Sequence, residues 1–230
     1  MKKHKRYLND RDKQILAFIT RYRVGTNELL RDHCFDTDTG LRNVDRVLRR
    51  LEERKLIRRT ELDEGKSYYT MTRRGLGLND ENPRTPKLPT EQTLPVYLAI
   101  ATYCVEHRLK RLTKEKFVED YPELTRPGKG NGNYTLVEDD GVIKLELLVV
   151  DRGGAAHRIR TRVRRLIAQR KGMPHFVALM QAGKFRITVL TATPEQQWKI
   201  LRRIGNSFDP IEVTAVVIPA LRDLLMLRKK

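Results

Sequence analysis

The sequence predicts an α+β protein with two domains, and three observations support this. Residues 1–78 contain three helical patterns of apolar residues and then two strand-like runs around a glycine turn, which is the order of a winged helix-turn-helix. Residues 79–93 hold Pro83, Pro86 and Pro89, and this spacing disfavours a helix and predicts an extended linker. In residues 94–230 helical and strand-like segments alternate, which predicts an α/β domain.

The composition is strongly basic. The 230 residues include 47 Lys and Arg against 29 Asp and Glu, which gives a formal net charge of +18. A positive field of this size favours a polyanionic partner, and nucleic acid ranks above an anionic membrane surface. No membrane span is expected, because no apolar run approaches the roughly 20 residues that a span needs.

The cysteines and the first residues predict a cytoplasmic protein. Cys34 and Cys104 lie far apart in apolar contexts, which is typical of reduced core residues. Two cysteines cannot complete a structural zinc site, and the five histidines lack ligand spacing, so no metal or other cofactor is expected. The basic start runs into polar residues from Asn9 to Asp12 rather than into an apolar signal-peptide segment.

The first two helices are predicted from their caps. Asn9 is a candidate N-cap for a helix over residues 10–23, because its side-chain oxygen can accept from amides of the first turn. The second helix opens at Thr26 and continues to about His33. Polar residues then lead into a third helix, for which Asp38 or Thr39 is the predicted N-cap.

This third helix, which continues to about Leu56, is the predicted recognition helix. Its apolar residues fall on one stripe of a 3.6-residue period: Leu41, Val44, Val47, Leu48 and Leu51. The opposite face carries Arg42, Arg46 and Arg49, flanked by Arg50 and Asp45. A helix with an apolar back and an arginine front fits the DNA major groove, where guanidinium groups meet phosphates and guanine edges.

A predicted hairpin follows, with strands over residues 57–62 and 67–72 around Gly65. In a winged helix it would form the wing beside the DNA backbone. The predicted DNA-contacting residues of this domain are Thr39, Arg42, Asn43, Arg46, Arg49, Arg50, Arg58, Arg59 and Lys66. Arg42, Asn43 and Arg46 are the candidates for reading bases, since arginine pairs with guanine and asparagine with adenine.

Three less specific interpretations remain open. The basic helix can be a solvated surface helix, and the three helices and hairpin can belong to an enzyme subdomain. Asn43, at the flank of the apolar stripe, can simply satisfy the neighbouring turn.

In the second domain, residues 94–107 predict a buried helix and Thr113 opens a short one. A glycine-rich loop over residues 126–133 lacks the spacing of a phosphate-binding loop. The predicted strands are residues 134–137, 142–150, 175–179, 185–191 and 213–218. Helices are predicted over residues 155–169, from Pro194, and after Pro219.

The helix over residues 155–169 is a second candidate DNA contact. Residues 152–171 contain eight cations and no acid. Like charges at these spacings repel by a few tenths of a kcal/mol per pair, which indicates an anionic partner, although a solvated face stays an alternative. Arg160 and Arg164, assigned to opposite flanks of the apolar stripe, are the candidates for a sequence-independent contact.

Two stretches of the chain resemble a known family. The N-terminal half, with Val47-Leu48-Arg49-Arg50-Leu51 and Tyr69-Thr70-Met71-Thr72-Arg73-Arg74-Gly75, is similar to the winged helix of the replication-relaxation family of plasmid proteins. Residues 136–143 and 147–153 resemble that family's second domain, which is similar to the PD-(D/E)XK nuclease fold with an αβββαβ core. The resemblance implies binding to double-stranded DNA in plasmid replication, DNA relaxation or their regulation.

The nuclease motif of that fold is incomplete in this sequence. Asp140 matches the aspartate, but Asp139 stands in place of the preceding proline and Val149 in place of a metal-binding glutamate. If the domain were active, its residues would be Asp140, Glu146, Asp151 and Arg162, with Mg²⁺. Glu146 and Asp151, five residues apart on one strand, should point to opposite faces, and Lys144 and Glu146 should form an ion pair.

The sequence therefore predicts a non-catalytic protein that binds double-stranded DNA, of the plasmid or phage type, located with the nucleoid or a plasmid. It acts in replication, DNA relaxation or transcriptional regulation. The alternative is a metal-dependent nuclease that the winged helix directs to its site. A weaker option is a regulator whose second domain senses a small ligand. A homodimer is expected because many helix-turn-helix proteins read two half-sites, and replication or relaxation proteins are further expected partners.

Overall fold

The computed structural model describes residues 8–62, 65–78, 86–125 and 132–226. The chain is a mixed α+β protein that divides into two compact units, residues 1–101 and 102–230. The predicted linker lies partly outside the described residues, and residues 86–93 contain only a turn before the next helix. Most of the glycine-rich loop, residues 126–131, and the last four residues also lie outside. In the described part of the chain, no helix is both long and apolar enough to cross a membrane.

The first unit begins with three helices, α1 (Asp10–Tyr22), α2 (Asn27–Cys34) and α3 (Leu41–Glu53). The Asn9 side chain accepts from the Asp12 amide, and the Thr26 side chain accepts from the Leu29 amide, so both predicted N-caps are confirmed. The predicted cap of α3 is wrong, because the N-cap residue is Gly40. The Thr39 amide donates to the Asp36 carbonyl (2.9 Å), and this turn moves the start of α3 beyond Asp38 and Thr39.

The helices enclose the core of this unit. From α3, Val44, Leu48 and Leu51 are fully buried, whereas Leu41 is 40% exposed and Val47 is half-buried. The buried stripe is therefore narrower than the sequence pattern indicated. Truncating a buried leucine of this kind to alanine costs about 2–5 kcal/mol. Cys34 belongs to this core, and burial raises the pKa of its thiol to about 12.

A two-stranded antiparallel sheet follows, with β1 (Ile57–Glu61) and β2 (Ser67–Met71). The hairpin is confirmed, with Gly65 in the connection. The loop between α1 and α2 also pairs with β2, since Gly25 and Tyr69 exchange backbone hydrogen bonds of 3.0 and 2.8 Å. The sequence pattern did not indicate this third short segment of sheet.

A four-residue helix, α4 (Arg73–Leu76), follows the hairpin and contacts the residues just after α3. This helix was not predicted. The Thr72 hydroxyl donates to the Lys55 carbonyl (2.6 Å) and accepts from the Gly75 amide (3.1 Å). A Cβ atom at Gly75 would lie 2.1 Å from the Leu56 carbonyl oxygen, so only glycine fits there. These contacts fix the hairpin relative to α3.

The chain passes between the units within helix α5 (Leu94–Glu106), which is buried over most of its length as predicted. The second unit then contains, in order, α6 (Lys114–Asp120), a 3-10 helix (Pro122–Leu124), β3 (Asn133–Asp139), β4 (Val142–Val150), α7 (Ala156–Lys171), α8 (Pro174–Gln181), β5 (Phe185–Thr191), α9 (Pro194–Ile204), β6 (Glu212–Val217) and α10 (Ala220–Met226).

The four strands of this unit form one mixed sheet in the order β3-β4-β5-β6. β3 and β4 are antiparallel, while β4, β5 and β6 run parallel. One face packs against α7, α8 and α9 around a large apolar cluster that includes Val149, Val163 and Ile187. The carboxyl ends of β4 and β5 therefore lie beside the first turns of α7 and α9.

The predicted strand over residues 175–179 is wrong, because this segment forms α8. Pro174 occupies the first turn, where its missing amide costs nothing, and Phe176 and Met180 are buried four residues apart on one face. A strand at residues 175–179 could not pair with β4 either, because both edges of β4 are occupied by β3 and β5.

After its first helices the second unit has the element order ββααβαβ, which differs from the predicted αβββαβ core.

Candidate nucleic-acid interface

The N-terminal half of α3 presents an exposed polar face. Arg42, Asn43 and Arg46 are exposed, and among the described residues their side chains have no hydrogen bond or ion pair. The face is held by the buried Val44, Leu48 and Leu51 on the opposite side of the helix. Three side chains that are free to reach a partner thus lie on a rigidly packed helix, which is the arrangement that direct contact with base edges requires.

The next two arginines of α3 already have protein partners. Arg49 donates to Asp45, one turn earlier, at 2.8 Å, and both side chains are accessible to solvent. Arg50 pairs with Asp12 of α1, whose carboxylate is 2% exposed. No role for Asp12 was predicted from the sequence, in which it is simply an acidic residue in the first turn of a helix. Arg50 therefore links α3 to α1. The predicted contact of Arg50 with DNA would have to use the guanidinium group that already pairs with Asp12.

The hairpin divides its cations between two faces. Arg58 and Arg59 are both exposed, but as consecutive residues of β1 they point to opposite sides of the sheet. Arg59 donates to the Ser67 hydroxyl (2.9 Å), while Arg58 has no recorded partner among the described residues. Lys66 is exposed beside the turn, and Thr39 is half-buried just before α3. One flat surface cannot contact Arg58 and Arg59 together.

The cations of α7 have three different environments. Arg170 is buried, donates to the Tyr134 hydroxyl and the Leu166 carbonyl, and stacks on the rings of Tyr134 and Phe176. It is part of the core and adds nothing to a DNA surface. Arg160 and Arg164 are four residues apart and lie on the same flank of α7, so their assignment to opposite flanks is wrong. Arg160 donates to Ser207 (3.2 Å).

The other flank of α7 carries Arg158, Arg162 and Arg165. Arg162 donates to the Val150 carbonyl (3.0 Å), which places its guanidinium at the carboxyl end of β4. Burial lowers the pKa of Arg162, and the positive charges of Arg152 and Arg165 lower it further. This convergence was not predicted, because Arg152 precedes the helix and is not part of its periodic pattern.

Asp151 lies at this same end of β4 and is 4% exposed. Its carboxylate accepts from the Gly153 amide (3.1 Å), from Gln196 (3.1 Å) and from Thr191 (3.4 Å). Of the four residues of the nuclease alternative, only Asp151 and Arg162 are brought together.

Glu146 faces the opposite side of the sheet, as predicted, and is fully buried. Its carboxylate accepts from Arg186 (2.7 and 2.8 Å), from Thr188 (2.6 Å) and from Tyr103 (3.1 Å). Burial and the charge of Glu146 raise the pKa of Tyr103. Burial acts to lower the pKa of Arg186, but the charge and hydrogen bond of Glu146 raise it overall.

The predicted Lys144–Glu146 ion pair is wrong. Lys144 pairs with Asp139 (2.6 Å) and Glu212 (3.1 Å) instead. Residues opposite each other on adjacent strands are about 4.8 Å apart, whereas residues i and i+2 on one strand are about 6.6 Å apart. Arg186 stands directly opposite Glu146 in the β4–β5 register and is therefore the closer partner.

Asp140 is far from the other nuclease candidates. It occupies the two-residue turn between β3 and β4, where Asp140 and Gly141 both have positive φ (49° and 75°). This is the turn that an Asp-Gly pair favours, because glycine adopts such angles without strain. The nine-residue strand β4, roughly 30 Å long at about 3.3 Å per residue, separates the turn from Asp151.

The geometry does not assemble the metal site of the nuclease alternative. In the described ranges of the chain, no group of three or more His, Cys, Asp or Glu side chains is placed to hold a metal ion. Asp140 lies at one end of β4 and Asp151 at the other, while Glu146 is buried on one face of the strand between them. A single magnesium ion cannot contact all three.

Comparisons with protein-family models, with curated proteins and with solved structures find no match for this chain. The resemblance to the replication-relaxation family therefore stays a prediction from the quoted residues.

Proposed function

We propose that the first unit is a winged helix that binds double-stranded DNA, with α3 in the major groove. The observation that carries this proposal is the exposed face of α3, on which Arg42, Asn43 and Arg46 have no protein partner among the described residues. An arginine fork can pair with guanine O6 and N7, and an asparagine amide with adenine N6 and N7. These side chains lie near the start of the helix, where recognition helices contact bases.

The arrangement of elements supports this proposal. Two helices precede α3, the hairpin β1–β2 follows it, and the loop at Gly25 adds a short paired segment to β2. The contacts of Thr72 and Gly75 fix the hairpin to the end of α3. A wing held in this way would lie beside the groove that α3 occupies.

The wing and the outer face of α3 would contact phosphates. Arg58 and Lys66 on the hairpin, and Arg49 on α3, are exposed cations of this kind. Phosphate contacts orient a protein on the duplex without reading its sequence, so these residues would add affinity while Arg42, Asn43 and Arg46 add specificity.

The biological context we propose is replication, relaxation or regulation of plasmid or phage DNA. It rests on the resemblance of the quoted winged-helix stretches to the replication-relaxation family. A homodimer on two half-sites, and contacts with replication or relaxation proteins, belong to the same proposal.

The test is a selection of binding sequences from a random duplex pool, followed by affinity measurements on the selected site and on a scrambled site. We expect Arg42→Ala and Arg46→Ala each to weaken binding to the selected site by roughly 1–3 kcal/mol and to relax the sequence preference. A matched control removes the same charge elsewhere, with Lys13→Ala and Lys114→Ala, which are exposed residues outside α3.

The two arginine variants together should lose the difference between selected and scrambled sites, while the lysine variants retain it. The proposal fails if the wild-type chain selects no sequence. It also fails if the double arginine variant keeps the wild-type affinity and preference.

A further inference from the structure

The second unit has a basic surface that the α3 contact does not use. Arg158, Arg162 and Arg165 are spaced by four and three residues on α7, which puts them on one flank of the helix. Arg152 lies in the connection between β4 and α7. Its positive charge lowers the pKa of Arg162, so it adds to the positive charge beside this flank. We define these four residues as the arginine flank.

Arg162 anchors the arginine flank to the sheet. Its guanidinium donates to the Val150 carbonyl at 3.0 Å, so the group is fixed at the carboxyl end of β4 rather than extended into solvent. One hydrogen bond uses only one of the five donors of a guanidinium. The remaining donors and the exposed side chains of Arg152, Arg158 and Arg165 are left for a partner.

The positive charge of the arginine flank is only partly balanced by the protein. Residues 152–171 contain no acid, and no ion pair is recorded for Arg152, Arg158 or Arg165 within the described part of the chain. Asp151 is an acid near Arg162, but its carboxylate is buried and accepts from Gly153, Thr191 and Gln196. Clustered like charges without a counter-charge are unfavourable, and an anionic partner would relieve the repulsion.

The position in the fold also favours a ligand. The arginine flank lies beside the carboxyl end of β4, in the parallel part of the sheet, and this is the edge at which α/β sheets bind ligands. The connection at this edge contains Gly153 and Gly154, which have no side chains to obstruct an approaching group.

We propose that the arginine flank, Arg152, Arg158, Arg162 and Arg165, binds the phosphodiester backbone of duplex DNA independently of sequence. Guanidinium groups match phosphate oxygens with paired hydrogen bonds, and several in a row suit a repeating backbone better than a single anion. This contact is additional to the one proposed for α3 and does not depend on it. It also differs from the earlier assignment to Arg160 and Arg164, which lie on the other flank of α7.

The experiment uses the full chain in two backgrounds, wild type and Arg42→Ala/Arg46→Ala. The test variant is Arg158→Gln/Arg165→Gln, in which both residues are exposed and the half-buried Arg162 is left intact. The matched control is Arg164→Gln/Lys171→Gln, which removes two exposed cations from the other flank of the same helix. Binding to a 30-base-pair duplex of random sequence is measured from low to high salt, with circular dichroism as the check of folding.

In both backgrounds the test variant should bind the random duplex at least tenfold more weakly at low salt. It should flatten the plot of log affinity against log salt by about 0.9 for each lost phosphate contact, and the control should change neither quantity. The Arg42→Ala/Arg46→Ala background separates the two proposals, because there the proposed base-reading side chains of α3 no longer contribute, and the test and control variants differ only in α7.

Four outcomes would overturn the inference. Equal losses in the test and control variants would show a diffuse field rather than a site, and a loss in the control alone would favour the other flank. Unchanged binding and slope in the test variant would show a solvated surface. Saturable binding of inorganic pyrophosphate or dAMP that Arg158→Gln/Arg165→Gln abolishes, without an effect on duplex binding, would assign the arginine flank to a small ligand instead.

Discussion

Individual arginines of α3 differ in their contacts because of what surrounds them. Arg46 is exposed and unpaired within the described residues, so its guanidinium can contact a partner at no structural cost. Arg50 is four residues further along, and it neutralises the buried Asp12 carboxylate of α1. A carboxylate out of contact with water needs such a partner, since an unpaired buried charge is strongly unfavourable. The same side-chain chemistry is therefore available to a partner at one position and committed to folding at the other.

Arg50→Ala should destabilise the first unit by about 1–3 kcal/mol, because it leaves the Asp12 carboxylate buried without its charged donor. Urea unfolding followed by circular dichroism measures the change. Arg49→Ala is the matched control, and it should cost no more than about 0.5 kcal/mol because the Arg49–Asp45 pair is exposed. If Arg50→Ala unfolds at the wild-type urea concentration, the Asp12 pair does not hold α3 to α1.

Among the elements, β4 shows how one strand can serve two environments. Its residues alternate between the faces of the sheet, so Val149 enters the apolar cluster under α7–α9 while Glu146 faces the other way. Glu146, Arg186 and Glu212 stand opposite one another on β4, β5 and β6 and form a row of alternating charge across the sheet. Tyr103 and Thr188 complete the hydrogen bonds of the Glu146 carboxylate.

Glu146→Ala should destabilise the second unit by about 3–5 kcal/mol, since it leaves the Arg186 charge and two hydroxyl donors without their acceptor. Replacing both charged residues, in Glu146→Met/Arg186→Met, should recover much of that loss because no unpaired charge remains. Glu195→Ala removes an exposed carboxylate from the Lys199 pair and serves as the control, with an expected change below about 0.5 kcal/mol. A double variant less stable than Glu146→Ala would contradict this account.

For the whole molecule, the distribution of acids gives no support to the nuclease alternative. Asp140 and Asp151 lie just beyond opposite ends of β4, and the Glu146 carboxylate is paired with Arg186 on one face of the sheet. Two or three oxygens must converge on one ion to activate water for phosphodiester cleavage. We therefore expect the protein to bind DNA without cutting it.

Supercoiled plasmid incubated with the full chain and Mg²⁺ or Mn²⁺ should stay supercoiled at protein concentrations that give a complete gel shift. The comparison uses Asp140→Ala and Asp151→Asn variants beside the wild type. Nicking by the wild type that either variant abolishes would show that the acids converge in a state of the chain different from the one described here.

Much of the local structure follows from short-range patterns. The caps at Asn9 and Thr26, the hairpin around Gly65 and the Asp-Gly turn at residues 140–141 each depend on residues within a few positions of one another. The exposure of Arg42 and Arg46 follows from the helical period of the apolar residues opposite them. The local pattern failed at residues 175–179, where a short apolar run fits a strand or a buried helix equally well.

The sequence by itself determined the α+β class, the basic character of both halves and the side chains that face outward on α3. Only the tertiary structure decided the partners of the charged residues. Arg50 meets Asp12 across 38 positions, and Glu146 meets Arg186 across 40. It also decided that Arg152 joins the arginine flank of α7 while Arg170 enters the core. Periodicity describes which way a side chain points, but its partner depends on which distant segment packs against that face.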